Sequence, residues 1–203
     1  DMADYAIDAL EKSQVKEVYL LGRRGPAQAA FTNPEVKELA EMEDADVFTI
    51  PDEVQLDDLS KAEMASDPDP TIQKKVEMLQ GYALNKPTGK SRKLFIRFLV
   101  SPTELISDAN GKVTKMRTVR NTLVKSDTGT LSAKATDKTD ELEVGMVFRS
   151  VGYRGKPLPD VPFNDRWGVI LNEHGRVIDP DTKQPRIGEY TSGWIKRGPS
   201  GVL

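Results

Sequence analysis

The stretch Val18-Tyr19-Leu20-Leu21-Gly22-Arg23-Arg24-Gly25-Pro26 decides how this chain is read. Glu17 to Leu21 is a short apolar run of strand formers that stops at a glycine, the pattern of a strand buried in a parallel sheet. In a dinucleotide-binding βαβ unit the second strand ends beside the adenosine ribose, where NAD-specific sites place an acidic side chain on the 2′-hydroxyl. Arg23 and Arg24 stand there instead. Two guanidinium groups offer planar, bidentate, charge-assisted hydrogen bonds that suit a 2′-phosphate and gain nothing from a neutral ribose. The expected nucleotide is therefore NADP(H). An arginine pair after a strand also suits a solvated turn, and local sequence leaves both readings open.

Upstream, Met2, Tyr5, Ala6, Ala9 and Leu10 are spaced along one helical face, so the chain opens inside a helix. Downstream, Asn33-Pro34-Glu35 supplies a cap and a first-turn proline for a helix through about Met42. Asp46 to Ile50 is expected to be a second strand, Pro51 to Pro70 a long acidic connection, and Thr71 to Leu84 a helix. Lys93–Ile106 and Lys112–Lys125 read as two long strands joined at Asp108-Ala109-Asn110-Gly111 into a β-hairpin. The polar, Thr-rich stretch Ser126–Glu141 is expected to be an exposed loop, and Gly145–Gly152 a buried strand. From Tyr153 onward the chain is rich in Gly, Pro and aromatic residues with little periodicity. The pattern describes an α/β domain with an antiparallel excursion.

Composition narrows the chemistry. The 203 residues are 37% hydrophobic and 30% charged, a globular balance. The longest apolar stretch, Leu94–Val100, is interrupted by Arg97, so no segment is expected to span a bilayer. The 29 Lys and Arg against 32 Asp and Glu give a net charge of −3, which argues against nonspecific nucleic-acid binding. With no cysteine and a single histidine, disulfides, thiolate metal sites, cysteine nucleophiles and histidine clusters are excluded. No signal peptide is seen before the first element, and a cytoplasmic location is expected. No G-x-G-x-x-G, Walker A, H-E-x-x-H or G-x-S-x-G occurs. If Arg23 and Arg24 end the second strand of a nucleotide fold, the first strand and its Gly-rich turn are expected to precede residue 1.

At the other end, Gly193-Trp194-Ile195-Lys196-Arg197-Gly198-Pro199-Ser200-Gly201 places glycines that permit close backbone approach beside a flat aromatic surface. A basic tail whose tryptophan fills a gap in a core fits the same residues. His174 lies in the turn Asn172–Arg176, and a surface role suits it better than a catalytic one. Glu141 and Glu143 are expected to stay solvated. The run Lys86, Lys90, Arg92, Lys93 reads as a solvated loop, with docking of an acidic protein as its alternative.

The run Val18 to Thr32, together with Arg149-Ser150-Val151-Gly152-Tyr153-Arg154-Gly155, Val161-Pro162-Phe163 and Gly193 to Val202, resembles the adrenodoxin reductase family. These are the glutathione-reductase-like ferredoxin–NADP+ reductases. The resemblance covers essentially the whole chain and is faint between Asp52 and Thr139. It implies a Rossmann-like NADP-binding domain over 1–152, lacking its first strand and Gly-rich turn, and a segment over 153–203 that returns to an FAD-binding domain. It implies that Arg23 and Arg24 bind the 2′-phosphate, with Glu35 as a further nucleotide contact, and that the segment containing Trp194 lines FAD. Gly201, Val202 and Leu203 match the backbone stretch that reaches the isoalloxazine, although Leu203 replaces the family's isoleucine. The implied cofactors are NADP and FAD, and the implied partner is ferredoxin or a related iron–sulfur protein. The family's N-terminal FAD-binding half and its pyrophosphate-binding turn have no counterpart among these residues.

The implied activity is transfer of a hydride between NADPH and FAD and of single electrons to or from an iron–sulfur protein. Chemistry of that kind belongs to the cofactors, so no catalytic acid, base or nucleophile is expected. Two other readings stand beside it. One is a non-enzymatic module that binds phosphate or an acidic protein. The other is a different two-domain NADPH flavin oxidoreductase, such as a relative of the glutamate-synthase small subunit.

Overall fold

A computed structural model describes residues 2–127 and 129–199. The chain divides into two compact units, Asp1–Val147 and Phe148–Leu203.

The first unit begins with α1 (Asp4–Glu11), none of whose residues is buried, and β1 (Glu17–Leu21). A 3-10 turn, Pro26–Gln28, leads to α2 (Asn33–Ala40), which starts on a reciprocal capping box between Thr32 and Glu35. Then come β2 (Ala45–Thr49), α3 (Pro51–Val54), α4 (Asp58–Ser66), α5 (Pro70–Tyr82) and β3 (Arg92–Arg97). The stretch expected to be one long connection thus holds two helices. Pro51 and Asp57 start them, Pro51 with its preset φ in the first turn and Asp57 by accepting the Ser60 amide at 2.8 Å.

The three strands form a parallel sheet in the order β1-β3-β2. Alternation sends Val47, Leu94 and Ile96 to one face, where α2 and α5 help enclose a core of Val36, Val47, Val54, Leu79, Ile96 and Phe98. On the other face Tyr19, Phe95 and Phe48 form an aromatic row, with ring centroids 4.9 Å apart for Tyr19–Phe95 and 5.5 Å for Phe48–Phe95. β1 is an edge strand, and its Val18 and Leu20 stay 50% and 44% exposed.

The run expected to be one strand from Lys93 to Ile106 is broken. β3 ends at Arg97, and β4 (Val100–Ser107) belongs to a second, antiparallel sheet with β5 (Val113–Lys125) and β6 (Leu131–Glu143), in the order β4-β5-β6. Leu99 makes the change of direction in the left-handed region, φ 56°. The hairpin between β4 and β5 is as expected: Asp108 receives the amides of Asn110 and Lys112 at 2.9 Å, and Gly111 takes φ 77°.

Two expectations fail here. Ser126–Glu141 is no loop, since most of it lies in β6, which pairs with β5 from Lys125↔Leu131 to Lys115↔Glu143. Conversely, Gly145–Gly152 forms no strand, and Phe148 and Val151 are each 83% exposed.

The second unit is built from short strands. β7 (Phe163–Asn164) pairs with β8 (Val169–Ile170), while β9 (Asn172–Glu173), β10 (Arg176–Ile178) and β11 (Pro185–Tyr190) form a sheet in the order β11-β10-β9. One helical turn, α6 (Trp194–Arg197), follows. Ile170 and Val177 are its buried apolar side chains among the described residues.

Candidate functional site

The turn Gly22–Gly25 leaves β1 and is tied down along its backbone. The Gly22 amide donates to the Arg97 carbonyl at 2.8 Å, continuing the β1–β3 ladder by one residue. The next three carbonyls then each receive a hydrogen bond. Val100 donates its amide to Gly22 at 3.1 Å, Asn121 donates its side-chain Nδ2 to Arg23 at 2.9 Å, and Leu99 donates its amide to Arg24 at 3.0 Å. The link between β3 and β4 therefore serves as the floor of the turn. Gly25 is buried where a Cβ would stand 3.0 Å from the Gln28 side-chain oxygen and 3.8 Å from Leu123. Pro26 then presets the 3-10 turn.

Arg23 is exposed and Arg24 half-buried. Among the described residues no carboxylate pairs with either guanidinium. The other close arginine pair, Arg97 and Arg120, differs in this respect. Both hold the buried Glu53, Arg97 through Nε and Nη2 and Arg120 through Nη1 at 2.7 Å. Those two line an open cavity of about 550 Å³ with Lys138, Asp52 and Asp140, and their charge is already compensated there. The uncompensated charge sits on the turn after β1, where a dianion would find it.

Glu35, one turn further on, is exposed. One of its oxygens accepts the Thr32 amide at 2.6 Å and the Thr32 hydroxyl at 2.9 Å. These bonds, the amide first, hold its carboxyl below the usual carboxylate range. The structure thus gives Glu35 a helix-capping role that sequence reasoning missed, although Thr-x-x-Glu before a helix is its signature.

In the second unit Trp194 opens α6, 52% exposed, with its ring 5.6 Å from that of Tyr153. The Asn172 side chain anchors this helical turn by donating to the Lys196 carbonyl at 2.9 Å. Gly201, Val202 and Leu203 lie outside the described residues. His174 takes φ 51° at the tip of the β9–β10 turn, where the Gly175 amide donates to Asn172 Oδ1 at 3.2 Å. Among the described residues no cluster of His, Asp and Glu could hold a metal, and no helix is long and apolar enough to cross a membrane.

The expected basic loop is dispersed by the fold. Arg92 and Lys93 are in β3, Lys93 pairs with Glu17 at 3.3 Å, and Lys90 donates to the Met42 carbonyl. Glu141 is not merely solvated, since it pairs with Lys115 at 3.2 Å and Arg117 at 3.0 Å. Asn121 and Leu99 escaped the sequence reading. Asn is depleted in strands, and an asparagine inside the apolar β5 pattern was the available signal.

No family model matches the chain. Individual relatives do. Over all 203 residues it is 40% identical to the NADPH-ferredoxin reductase FprA of Mycobacterium tuberculosis, and 39% identical to that of Mycobacterium leprae, spanning 42% of the length of each. It is 30% identical over 213 aligned positions to the mitochondrial NADPH:adrenodoxin oxidoreductase of Arabidopsis thaliana, covering all of this chain and 44% of that protein. The solved structure of M. tuberculosis FprA in complex with NADPH superimposes with a TM-score of 0.86 at 40% identity, over 100% of this chain and 42% of that one.

Proposed function

The chain is homologous along its whole length to NADPH–ferredoxin reductases of the adrenodoxin reductase family, and from that premise we propose that it binds NADPH through Arg23 and Arg24. The chain spans about two fifths of the length of those relatives, and the proposed activity is that of the whole protein: an FAD-dependent NADPH–ferredoxin reductase. The observation that carries the reading is the pair of uncompensated guanidiniums on a turn whose three successive carbonyls are fixed. Such a pair fits the 2′-phosphate of NADPH and has no use for the hydroxyl of NADH. Glu35, with one carboxylate oxygen committed to its cap, has the other left to accept from a ribose or an adenine amine.

We assign nucleotide binding to residues 1–152 and flavin contact to 153–203, a division supported by the compact units that meet at Val147 and Phe148. On the flavin side the reading places Trp194, with Gly201, Val202 and Leu203. An exposed indole beside glycine-rich backbone suits a flat ring system. Bound FAD supplies the exchange between two-electron hydride chemistry and single-electron transfer. The residues of this chain position the nucleotide and select it, and the electron partner is a ferredoxin-type iron–sulfur protein. The reading includes a cytoplasmic location.

The test is replacement of Arg23 and Arg24 by Ala in the full-length protein. Losing two charge-assisted contacts of about 1.5–3 kcal/mol each weakens NADPH binding by at least about a hundred-fold and leaves NADH nearly unchanged. Equal losses for both nucleotides reject the assignment.

A further inference from the structure

We propose that Asn121, 98 residues away from Arg23 in sequence, is a positioning residue that sets preference for the 2′-phosphate by fixing the Arg23–Arg24 turn, an inference resting on the reading of those arginines as the phosphate clamp. Of the three bonds that hold the carbonyls of Gly22, Arg23 and Arg24, two come from the backbone amides of Val100 and Leu99 and survive any substitution there except proline. The Arg23 carbonyl alone depends on a side chain.

That side chain is built for the purpose. Asn121 is 5% exposed, and its Nδ2 spends both hydrogens, one on the Arg23 carbonyl at 2.9 Å and one on the Ser101 hydroxyl oxygen at 2.8 Å. A carboxamide turned the other way would set its oxygen against the carbonyl, so the donor orientation follows from the partners. The backbone of Asn121 is fixed as well, because its amide donates to the Leu99 carbonyl at 2.7 Å. Leu99 in turn donates to Arg24, so Asn121 reaches both arginines, one directly and one through Leu99.

Strand alternation in an unbroken stretch of β5 makes this possible. The pairing with β6 slips between Val119 and Asn121, and the Arg120 carbonyl is taken by the Thr136 hydroxyl at 2.7 Å. Successive residues of β5 point to opposite faces, so Arg120 turns to Glu53 while Asn121 turns to Arg23. Polar groups placed in a buried strand cost stability unless fully satisfied.

The effect on selectivity follows from entropy and geometry. An arginine carries about 2 kcal/mol of rotamer entropy, and two of them meet one phosphate productively only when their Cα–Cβ directions are fixed. Freeing the Arg23 carbonyl loosens the peptide between the two arginines. The loss then falls on the ligand that uses both guanidiniums and spares the one that uses neither.

The experiment measures binding of adenosine 2′,5′-bisphosphate and of 5′-AMP by calorimetry, and kinetics with NADPH and NADH, in the full-length protein. Asn121→Ala is expected to weaken the bisphosphate about ten-fold and 5′-AMP less than two-fold, with the NADPH effect on KM rather than kcat. Added to the Arg23→Ala, Arg24→Ala double variant, Asn121→Ala is expected to change the discrimination no further. If the arginine variants abolish discrimination while Asn121→Ala leaves it intact, or weakens both ligands alike, the inference is overturned and the clamp stands. If the arginine variants retain discrimination, the clamp itself fails, and the inference with it. Should Asn121→Ala not fold, Ser101→Ala keeps the Arg23 bond but frees the other N–H. It is expected to reduce discrimination about three-fold, and an unchanged ratio overturns the inference.

Discussion

The carboxylate of Glu53 accepts the backbone amide of Phe98 at 2.9 Å, at the point where the chain passes from the parallel sheet to the antiparallel one. Glu53 is 1% exposed, and the side chains of Arg97 and Arg120 that share it are 17% and 29% exposed. One group on α3 thus meets the end of β3, the amide after it and Arg120 of β5. The hydrogen bond to Glu53, ahead of its charge, raises Arg97 above the ordinary guanidinium range. The junction held this way is also the floor of the Arg23–Arg24 turn, because Leu99 and Val100 follow Phe98 directly.

Glu53→Ala is therefore expected to be among the most damaging single changes in the first unit. Removing the anion leaves two partly buried guanidiniums and one buried amide uncompensated, a loss of about 3–5 kcal/mol. Replacing Arg97 and Glu53 together by Met and Leu is expected to recover part of it, because one guanidinium, Arg120, then loses its partner in place of two. Urea midpoints of the three proteins decide the matter, and a loss under about 1 kcal/mol for Glu53→Ala contradicts the hub.

Tyr19 gives an alkaline signature. Its ring stacks on Phe95 at 4.9 Å and 13°, and its hydroxyl donates to Glu17 at 2.8 Å. Burial first, then Glu17, push it up to about 12 from the ordinary value of 10.0. The folded protein keeps a proton that the unfolded chain gives up, so this contribution to stability is complete below pH 10.0 and is lost as pH rises toward about 12. Comparing the ultraviolet tyrosinate titration of the parent with that of Tyr19→Phe isolates the step, and Glu17→Gln is expected to move it down.

How far the fold could be read in sequence depended on whether an element carried its own apolar pattern. β1 and β2 are short runs of strand formers, α5 carries its apolar side chains at the spacing of one face, and each was expected within a few residues of where it lies. β6 carries no such pattern. It is an edge strand with Thr, Lys, Asp and Glu along most of its length, and its order comes from the main-chain ladder to β5 and from cross-strand pairs such as Arg117–Glu141. Gly145–Gly152 fails in the opposite sense. Met146, Phe148 and Val151 form the kind of run that marks a buried strand, yet they are 59%, 83% and 83% exposed among the described residues. At the candidate site the arginines themselves were legible from the glycine before them. Their supports were not, because Leu99 and Asn121 are brought to the turn by the bend after β3 and the docking of β5, and the one local signal, an asparagine inside a strand pattern, does not say what it faces.

Acid is expected to act through carboxylates bound to main-chain amides. Asp46 accepts the Thr88 amide at 2.9 Å and its hydroxyl at 2.8 Å, and these two bonds, the amide first, hold it below its ordinary 3.8. A depressed carboxyl contributes stability that is present above 3.8 and disappears as pH falls through the folded value. Thr88→Val removes the hydroxyl bond and keeps the amide, so the fall in urea midpoint between neutral pH and about pH 3 is expected to shrink. An unchanged acid response assigns it to other carboxylates.

The second unit is tested at Gly155. A Cβ added there would stand 2.6 Å from the Gly168 carbonyl oxygen and 3.2 Å from Ile195 Cγ1. The first of these is backbone and cannot swing away, because Gly168 accepts the Gly155 amide at 2.9 Å while its own amide is held by Asn164 at 2.8 Å. Gly168 also takes φ 66°, so moving it strains a position suited to glycine. Gly155→Ala is expected to cost about 1–3 kcal/mol, as overpacking does, and to disturb the fluorescence of Trp194, the neighbour of Ile195. Gly188 provides the contrast. It has φ 82° and nothing within 4 Å of an added Cβ, so Gly188→Ala pays only the left-handed penalty of about 1–2 kcal/mol and leaves the Trp194 signal in place. If both variants shift that fluorescence alike, contact between Gly155 and Gly168 is not what seats α6.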